Sequence, residues 1–399
     1  MSELGSPVPT PQQRNCAVDT YRGFVMLLML GEVLRLSYVA QSFPNSFFWH
    51  IMAYNQSHVE WTGMSLHDMI QPSFTFLVGV ALPYSLRSRR RKGESFGHML
   101  PHTIWRSFLL VALGIFLRSI HGTSTNFTFE DTLTQIGLGY TFAFLLALCA
   151  PRWQWFSFGT LLFGYWLAWG LYPAPGPDFD YGSVGVPPQW HQHLFTGFLS
   201  HWNKNSNLGQ AFDLWFLNLF PRTQPFTFND GGYLTLSFIP TLATMLLGLA
   251  GGRWLLAAAP KIPFRKFFLT AAALIGCGLF LHLVGICPIV KRIWTPSWTL
   301  FSGGMCFLFL SAFSWMVDVR KNDRIAFPLI VIGMNSIAAY LMSYLCEEFI
   351  QNSFRINLGS STLNLFGPAL QPILLGTLTL CAYWLILFWM FKNKIFIRI

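Results

Sequence analysis

Asp68-Met-Ile-Gln-Pro-Ser-Phe-Thr-Phe-Leu-Val-Gly-Val-Ala-Leu-Pro-Tyr-Ser-Leu86 runs directly into Arg87-Ser-Arg-Arg-Arg-Lys92. Eighteen uncharged residues, Met69 to Leu86, are long enough as helix to cross about 30 Å of hydrocarbon. The cationic end marks the face that stays in the cytoplasm. Working outward, apolar runs of similar length fall at Gly23–Val39, Asp68–Leu86, Ile104–Ile120, Leu133–Ala150, Trp155–Leu171, Leu234–Gly252, Phe267–Cys287, Ser297–Val317, Ile325–Cys346 and Gln371–Phe391. The expectation is an all-α, polytopic transmembrane bundle of about ten spans. Residues 1–22 are a cytoplasmic segment, residues 23–399 form a single membrane domain, and residues 172–233 form a long extracytoplasmic loop.

Composition agrees with lipid as the main solvent. Of 399 residues, 53% are hydrophobic and only 11% charged, against roughly 25% charged in a soluble domain. The net charge of +10 does not point to nucleic acid, because the cations cluster between apolar runs rather than along one polar face. Alternating the loops puts nineteen of the 26 Lys and Arg residues on one side. The other side holds Arg35, Arg118, Lys204, Arg222, Lys291, Arg292 and Arg355. The first side is therefore cytoplasmic, and an even number of spans leaves both termini there. The polar start before the first apolar run does not read as a cleaved signal. Seven cysteines without C-x-x-C spacing read as small core residues, and no metal is expected.

Ionisable groups within or at the mouth of a helical bundle are costly and mark candidate sites. Glu32 stands in the outer half of the first span, with an ion pair to Arg35 as the plain alternative. The richest cluster is His58-Val-Glu-Trp61-Thr-Gly-Met-Ser-Leu-His67-Asp68-Met-Ile-Gln71. A neutral imidazole at His58 can act as general base, with Asp68 fixing its tautomer. Asp68 could instead cap the following helix. In the long loop, Trp190, His201 and Trp202 set flat aromatic faces beside hydrogen-bonding groups, which suits a polyhydroxyl ligand. An aromatic belt at the bilayer surface is the competing reading. The stretch from Asp213 to Phe220 suits a short amphipathic helix in the interface. Asn335, deep in a span, can touch a ligand or join helices.

Val18-Asp-Thr-Tyr-Arg-Gly23, His58-x-x-Trp-x-Gly-x-x-x-x-Asp68-x-x-x-Pro72, the run Ile239–Gly251, Trp294-Thr-Pro-Ser297 and Gly333-Met-Asn335 with Tyr340 appear in this order. The set resembles the heparan-alpha-glucosaminide N-acetyltransferase family and its bacterial membrane relatives. The resemblance implies a helical bundle that takes acetyl-CoA from the cytoplasm and passes the acetyl group to an amino sugar or other glycan on the far side of a bacterial inner membrane. It implies a catalytic role for His58, to which the residues themselves add Asp68 as its orienting partner and Glu32, Trp61, Gln71, Trp190, His201, Trp202 and Asn335 as candidate acceptor contacts. Arg22 and Arg106 would lie near the donor phosphates. The chain departs from the family's pattern at Glu32, Thr134 and Gln71. A sugar permease with Glu32 and Asp68 carrying protons is the alternative, and a non-catalytic scaffold a third; homodimer formation is left open.

Overall fold

The computed structural model describes residues 15–397, so Arg14, Arg398 and most of the expected N-terminal segment lie outside the described residues. The helices are α1 Cys16–Leu30, α2 Leu36–Ser42, α3 Phe47–Gln56, α4 Ile70–Arg91, α5 Phe96–Ser119, α6 Thr132–Leu148, α7 Pro151–Leu171 and α8 Leu208–Phe216. They continue with α9 Phe238–Ala258, α10 Phe264–Leu283, α11 Pro296–Ser314, α12 Asp323–Met334, α13 Ser336–Leu345, α14 Glu347–Leu363 and α15 Gln371–Lys392. Among the described residues the fold is all-helical, and the one β contact is an isolated antiparallel bridge between Thr62 and Val290. Several helices start where a side chain takes an orphan backbone N–H. Asn15 accepts from Val18, Asp131 from Leu133 and Thr134, and Thr295 from Trp298.

Six helices are long and apolar enough to cross a membrane, or eight if two bent pairs count as one span each. That is fewer than the ten expected. The shortfall lies at α6, which has 17 residues, and at α7, where Arg152, Gln154 and several indole and phenol groups dilute the apolar content. One bent pair joins α1 to α2 through a 46° turn, the other α12 to α13 through 70°. At the second bend Asn335 uses its amide on a distant segment. Its Nδ2 donates to the Ile395 carbonyl (3.0 Å) and its Oδ1 accepts from the Ile397 N–H (3.2 Å).

The bundle centre depends on backbone-to-backbone contact. A Cβ on Gly79 would lie 2.0 Å from the Met245 carbonyl oxygen, and one on Gly248 1.9 Å from that of Phe76, so α4 and α9 touch along small residues. Gly23 and Gly333 bring α1 and α12 together in the same way. Neither contact leaves room for a side chain to rotate away. Gly248→Leu is therefore expected to prevent assembly of the bundle, since the obstacle is backbone rather than a flexible side chain. The check is size-exclusion chromatography in detergent, where a wild-type-like monodisperse peak from the variant would refute the packing argument.

Residues 172–233 are not an open loop but a packed cap of short helical turns around α8. Trp61, Trp169, Trp190 and Trp202 form its core with Tyr165, Leu234, Val290 and Ile293. The helix expected over Asp213–Phe220 instead spans Leu208–Phe216, with Leu214 and Trp215 exposed and Asp213 buried. Its Oδ2 accepts from the Thr235 N–H at 3.0 Å, while Oδ1 has no hydrogen-bond partner among the described residues. Burial pushes this carboxyl up to about 7, against the pull of the Thr235 hydrogen bonds. An unfolded Asp titrates near 4, so the folded state binds the proton more tightly between about pH 4 and 7. Stability contributed by that proton is present below this window and is lost as pH rises through it. Asp213→Asn is expected to remove most of this decline. Melting temperatures in detergent at pH 5 and pH 7.5 test it, and equal pH slopes for the two proteins would count against it.

Candidate active site

The site is assembled by a short chain reversal between α3 and α4. Tyr54 donates to the Met64 carbonyl (2.9 Å) and Ser65 Oγ to that of Ser57 (2.6 Å), while Gly63 turns with φ 115°, a value that favours glycine. The same reversal pairs with the segment before α11: Gly63 N–H donates to Ile289, and Thr62 bridges Val290. That segment is held by the Trp294-Thr-Pro-Ser297 motif. Thr295 Oγ1 donates to the Pro288 carbonyl (2.7 Å) and accepts from the Val290 N–H (3.1 Å), and Ser297 Oγ donates to Cys287 (2.8 Å). The result is that Lys291, 233 residues away in sequence, sits beside His58.

His58 Nδ1 lies 2.8 Å from Asp68 Oδ1. A carboxylate can only accept, so this contact puts the proton on Nδ1 and makes Nε2 the accepting nitrogen of the ring. Asp68 is fully buried. Its Oδ2 accepts from the backbone of Val59 (3.2 Å) and Ser65 (3.0 Å) and from Ser65 Oγ (3.0 Å). It makes no capping bond to α4. Lys291 Nζ is 3.4 Å from Asp68 Oδ1, and 3.1 and 3.5 Å from the two imidazole nitrogens. Burial depresses the basicity of His58 first, its hydrogen bond to Asp68 opposes this, and the Lys291 charge depresses it further. The imidazole is thus a weaker base than a free one.

A second imidazole lies against the first. The His67 ring centroid is 4.6 Å from that of His58, and His67 Nε2 is 3.0 Å from Glu32 Oε1. Glu32 therefore pairs with His67 rather than Arg35, whose guanidinium is 3.6 Å from Glu347. These groups border a cavity of about 310 Å³ whose wall also includes Gln71, Arg118, Glu130, Asp131, Tyr233 and Tyr344. Burial raises the carboxyls of both Glu130 and Asp131.

A second cavity of about 340 Å³ lies toward the other ends of the same helices. Arg22 of α1, Ser85 of α4, Arg106 of α5 and Tyr140 of α6 line it, together with Ile397. Arg106 donates to the Tyr140 hydroxyl (3.0 Å) and lies 4.7 Å over its ring. Its Nε is buried with no hydrogen-bond partner among the described residues, a donor available to a ligand oxygen. Arg22 is paired with Asp19 at 3.1 Å. Thr132 and Tyr340 line both cavities.

The residues singled out in the sequence thus divide. His58, Glu32 and Gln71 line one cavity, with Asp68 buried behind His58, and Arg22 and Arg106 line the other. Trp61, Trp190 and Trp202 lie in the core of the cap, where the Trp61 indole donates to the Trp202 carbonyl (3.2 Å) and meets Trp190 edge to face. His201 packs beside Phe198 and Trp202 in the same cap. Asn335 lies at the α12–α13 bend with both amide atoms bonded to the Ile395–Ile397 backbone. Sequence reasoning did not nominate Lys291, Glu130 or Asp131, and it noted His67 without assigning it a role. Lys291 carried a usable signal: cations are scarce on its side of the chain, so each one retained there needs a reason. Among the described residues no three or more His, Cys, Asp or Glu gather as a metal site would require.

No family model matches the chain. The heparan-alpha-glucosaminide N-acetyltransferases of Mus musculus and Homo sapiens are each 23% identical to it over 454 aligned residues. The alignment takes in all of this chain but only 64% of the length of those relatives. The similarity and the membrane-length helices together support a multi-pass membrane protein distantly related to that transmembrane N-acetyltransferase.

Proposed function

We propose that the protein is a membrane acyltransferase that moves an acetyl or other acyl group from acyl-CoA to an amino sugar or related glycan acceptor across the bilayer. The observation that carries this reading is the pair of cavities, built from opposite ends of α1, α4, α5 and α6 and meeting at Thr132 and Tyr340. The charge bias supports a cytoplasmic opening for the Arg106 cavity, whose wall reaches Ser85 just before Arg87–Lys92 and where a phosphate-bearing donor is available. Arg22 and the unpartnered Arg106 Nε would hold donor oxygens there, and the acyl end of the donor would reach the Thr132–Tyr340 junction. On the far side, the Glu32 carboxylate beside His67 supports an acceptor that carries an amine.

In the reaction, His58 Nε2 removes a proton from the acceptor nitrogen as that nitrogen attacks the thioester carbon. The carbon–sulfur bond breaks, and the departing thiolate recovers the proton from the imidazolium. Asp68 holds the ring in the required tautomer throughout. The products are an N-acyl sugar and free CoA, with no other reactant. Purified protein in detergent, given radiolabelled acetyl-CoA and a panel of amino sugars, should form labelled N-acetyl product and free thiol in equal amounts. Uptake of labelled sugar into proteoliposomes without an acyl donor, and no thiol release, would instead make the protein a permease.

A further inference from the structure

We infer that Lys291 is a positioning residue for His58: its ammonium, held against both the Asp68 carboxylate and the imidazole, keeps that ring neutral, with Nε2 as its accepting nitrogen. This rests on the reading of His58 as the base. A buried carboxylate 2.8 Å from an imidazole would by itself draw a proton onto the ring, giving a stable imidazolium–carboxylate pair that is useless as a base. Lys291 is only 5% exposed and lies 3.4 Å from the same carboxylate oxygen, so an ammonium already balances Asp68. A second positive charge on the ring, 3.1 Å from Nζ, is then disfavoured.

The lysine is held in place by more than its charge. Its carbonyl accepts the Trp294 N–H (2.9 Å), its neighbour Val290 bridges Thr62, and Nζ lies 5.5 Å from the Tyr233 ring. The other charged or titratable groups toward His58 come from several elements. His67 is paired with Glu32, and Tyr233 stands edge-on to the His58 ring. Arg292 is committed to the carbonyls of Val59 and Gly231. Arg118, Glu130, Asp131, Tyr340 and Tyr344 lie on the remaining cavity wall. Of these groups, only Lys291 approaches both the imidazole nitrogens and the Asp68 carboxylate.

The test measures His58 directly. Acylation of His58 by diethyl pyrocarbonate, located by mass spectrometry between pH 5 and 8, reports the neutral fraction of the ring without requiring turnover. In K291M and K291Q the midpoint should rise by about one pH unit, so that the rate at pH 5.5 falls several-fold, while K291R should stay near wild type. The acid limb of the pH–kcat/KM profile for acetyl transfer should move with it. An unchanged midpoint in either folded, uncharged variant overturns the inference. Failure of both uncharged variants to fold, with K291R intact, overturns it as well by assigning the lysine a structural role. A shifted midpoint without acetyl transfer in any of the proteins sinks the proposed reaction but leaves the role of Lys291 standing.

Discussion

His58→Ala should leave a folded protein whose acetyl transfer is slower by about 10²- to 10⁴-fold, the range for loss of a positioned general base. The fold should survive because the side chain is 38% exposed and because Asp68 and Lys291 still pair in its absence, with the Oδ2 bonds from Val59 and Ser65 unaltered. The loss should fall on kcat more than on the KM for donor, since Arg22 and Arg106 line the other cavity. Imidazole added to the variant should restore part of the rate, as the space vacated opens onto the His58 cavity. The measurement is thiol release from acetyl-CoA in the presence of glucosamine. A variant retaining more than a third of wild-type kcat would remove His58 from the mechanism.

Asp68→Ala should have the larger effect on stability. The fully buried carboxylate takes the Val59 and Ser65 backbone donors, the Ser65 hydroxyl, the imidazole N–H and the Lys291 ammonium. Deleting it leaves an uncompensated buried ammonium and several orphan donors, a change that costs about 3–5 kcal/mol. Asp68→Asn separates this from chemistry. The amide oxygen can still accept from Val59 and Ser65, but a neutral amide no longer balances Lys291 or fixes the His58 tautomer. Thermal unfolding should therefore rank wild type, Asn and Ala in descending order, while acetyl transfer should be nearly absent in both variants. Equal melting temperatures for Ala and wild type would contradict the account of Asp68 as the electrostatic centre of the site.

What could be read in the sequence follows from the range of the forces involved. Helix positions are local: an apolar run with a cationic end declares itself, and a helix occupies each of the ten runs even where length or hydropathy falls short of a crossing. His58 and Asp68 are ten residues apart, close enough for one chain reversal to join them. Lys291 is different, because its place depends on the Thr62–Val290 bridge and on the Thr295 and Ser297 side chains that shape the turn before α11. No local pattern encodes that meeting. Glu32 shows the same limit: spacing favoured Arg35 three residues on, but the chain turns at Arg35 (φ 47°), and the carboxylate meets His67 instead. The tryptophans of the cap misled for a related reason. An indole beside amides and imidazoles looks alike in sequence whether it faces a sugar or fills a core, and only the enclosure of Trp61, Trp190 and Trp202 by Tyr165, Leu234 and Ile293 tells the two apart.

The glycine contact between α4 and α9 has a mechanical consequence. Two helices whose backbones touch cannot slide or swell, so the floor beneath His58 and Asp68 behaves as a fixed strut. α5 contributes Arg106 to one chamber and Arg118 to the other, while most of its length faces away from the bundle. Because one helix carries both arginines, any tilt of α5 moves the cationic walls of the two chambers together.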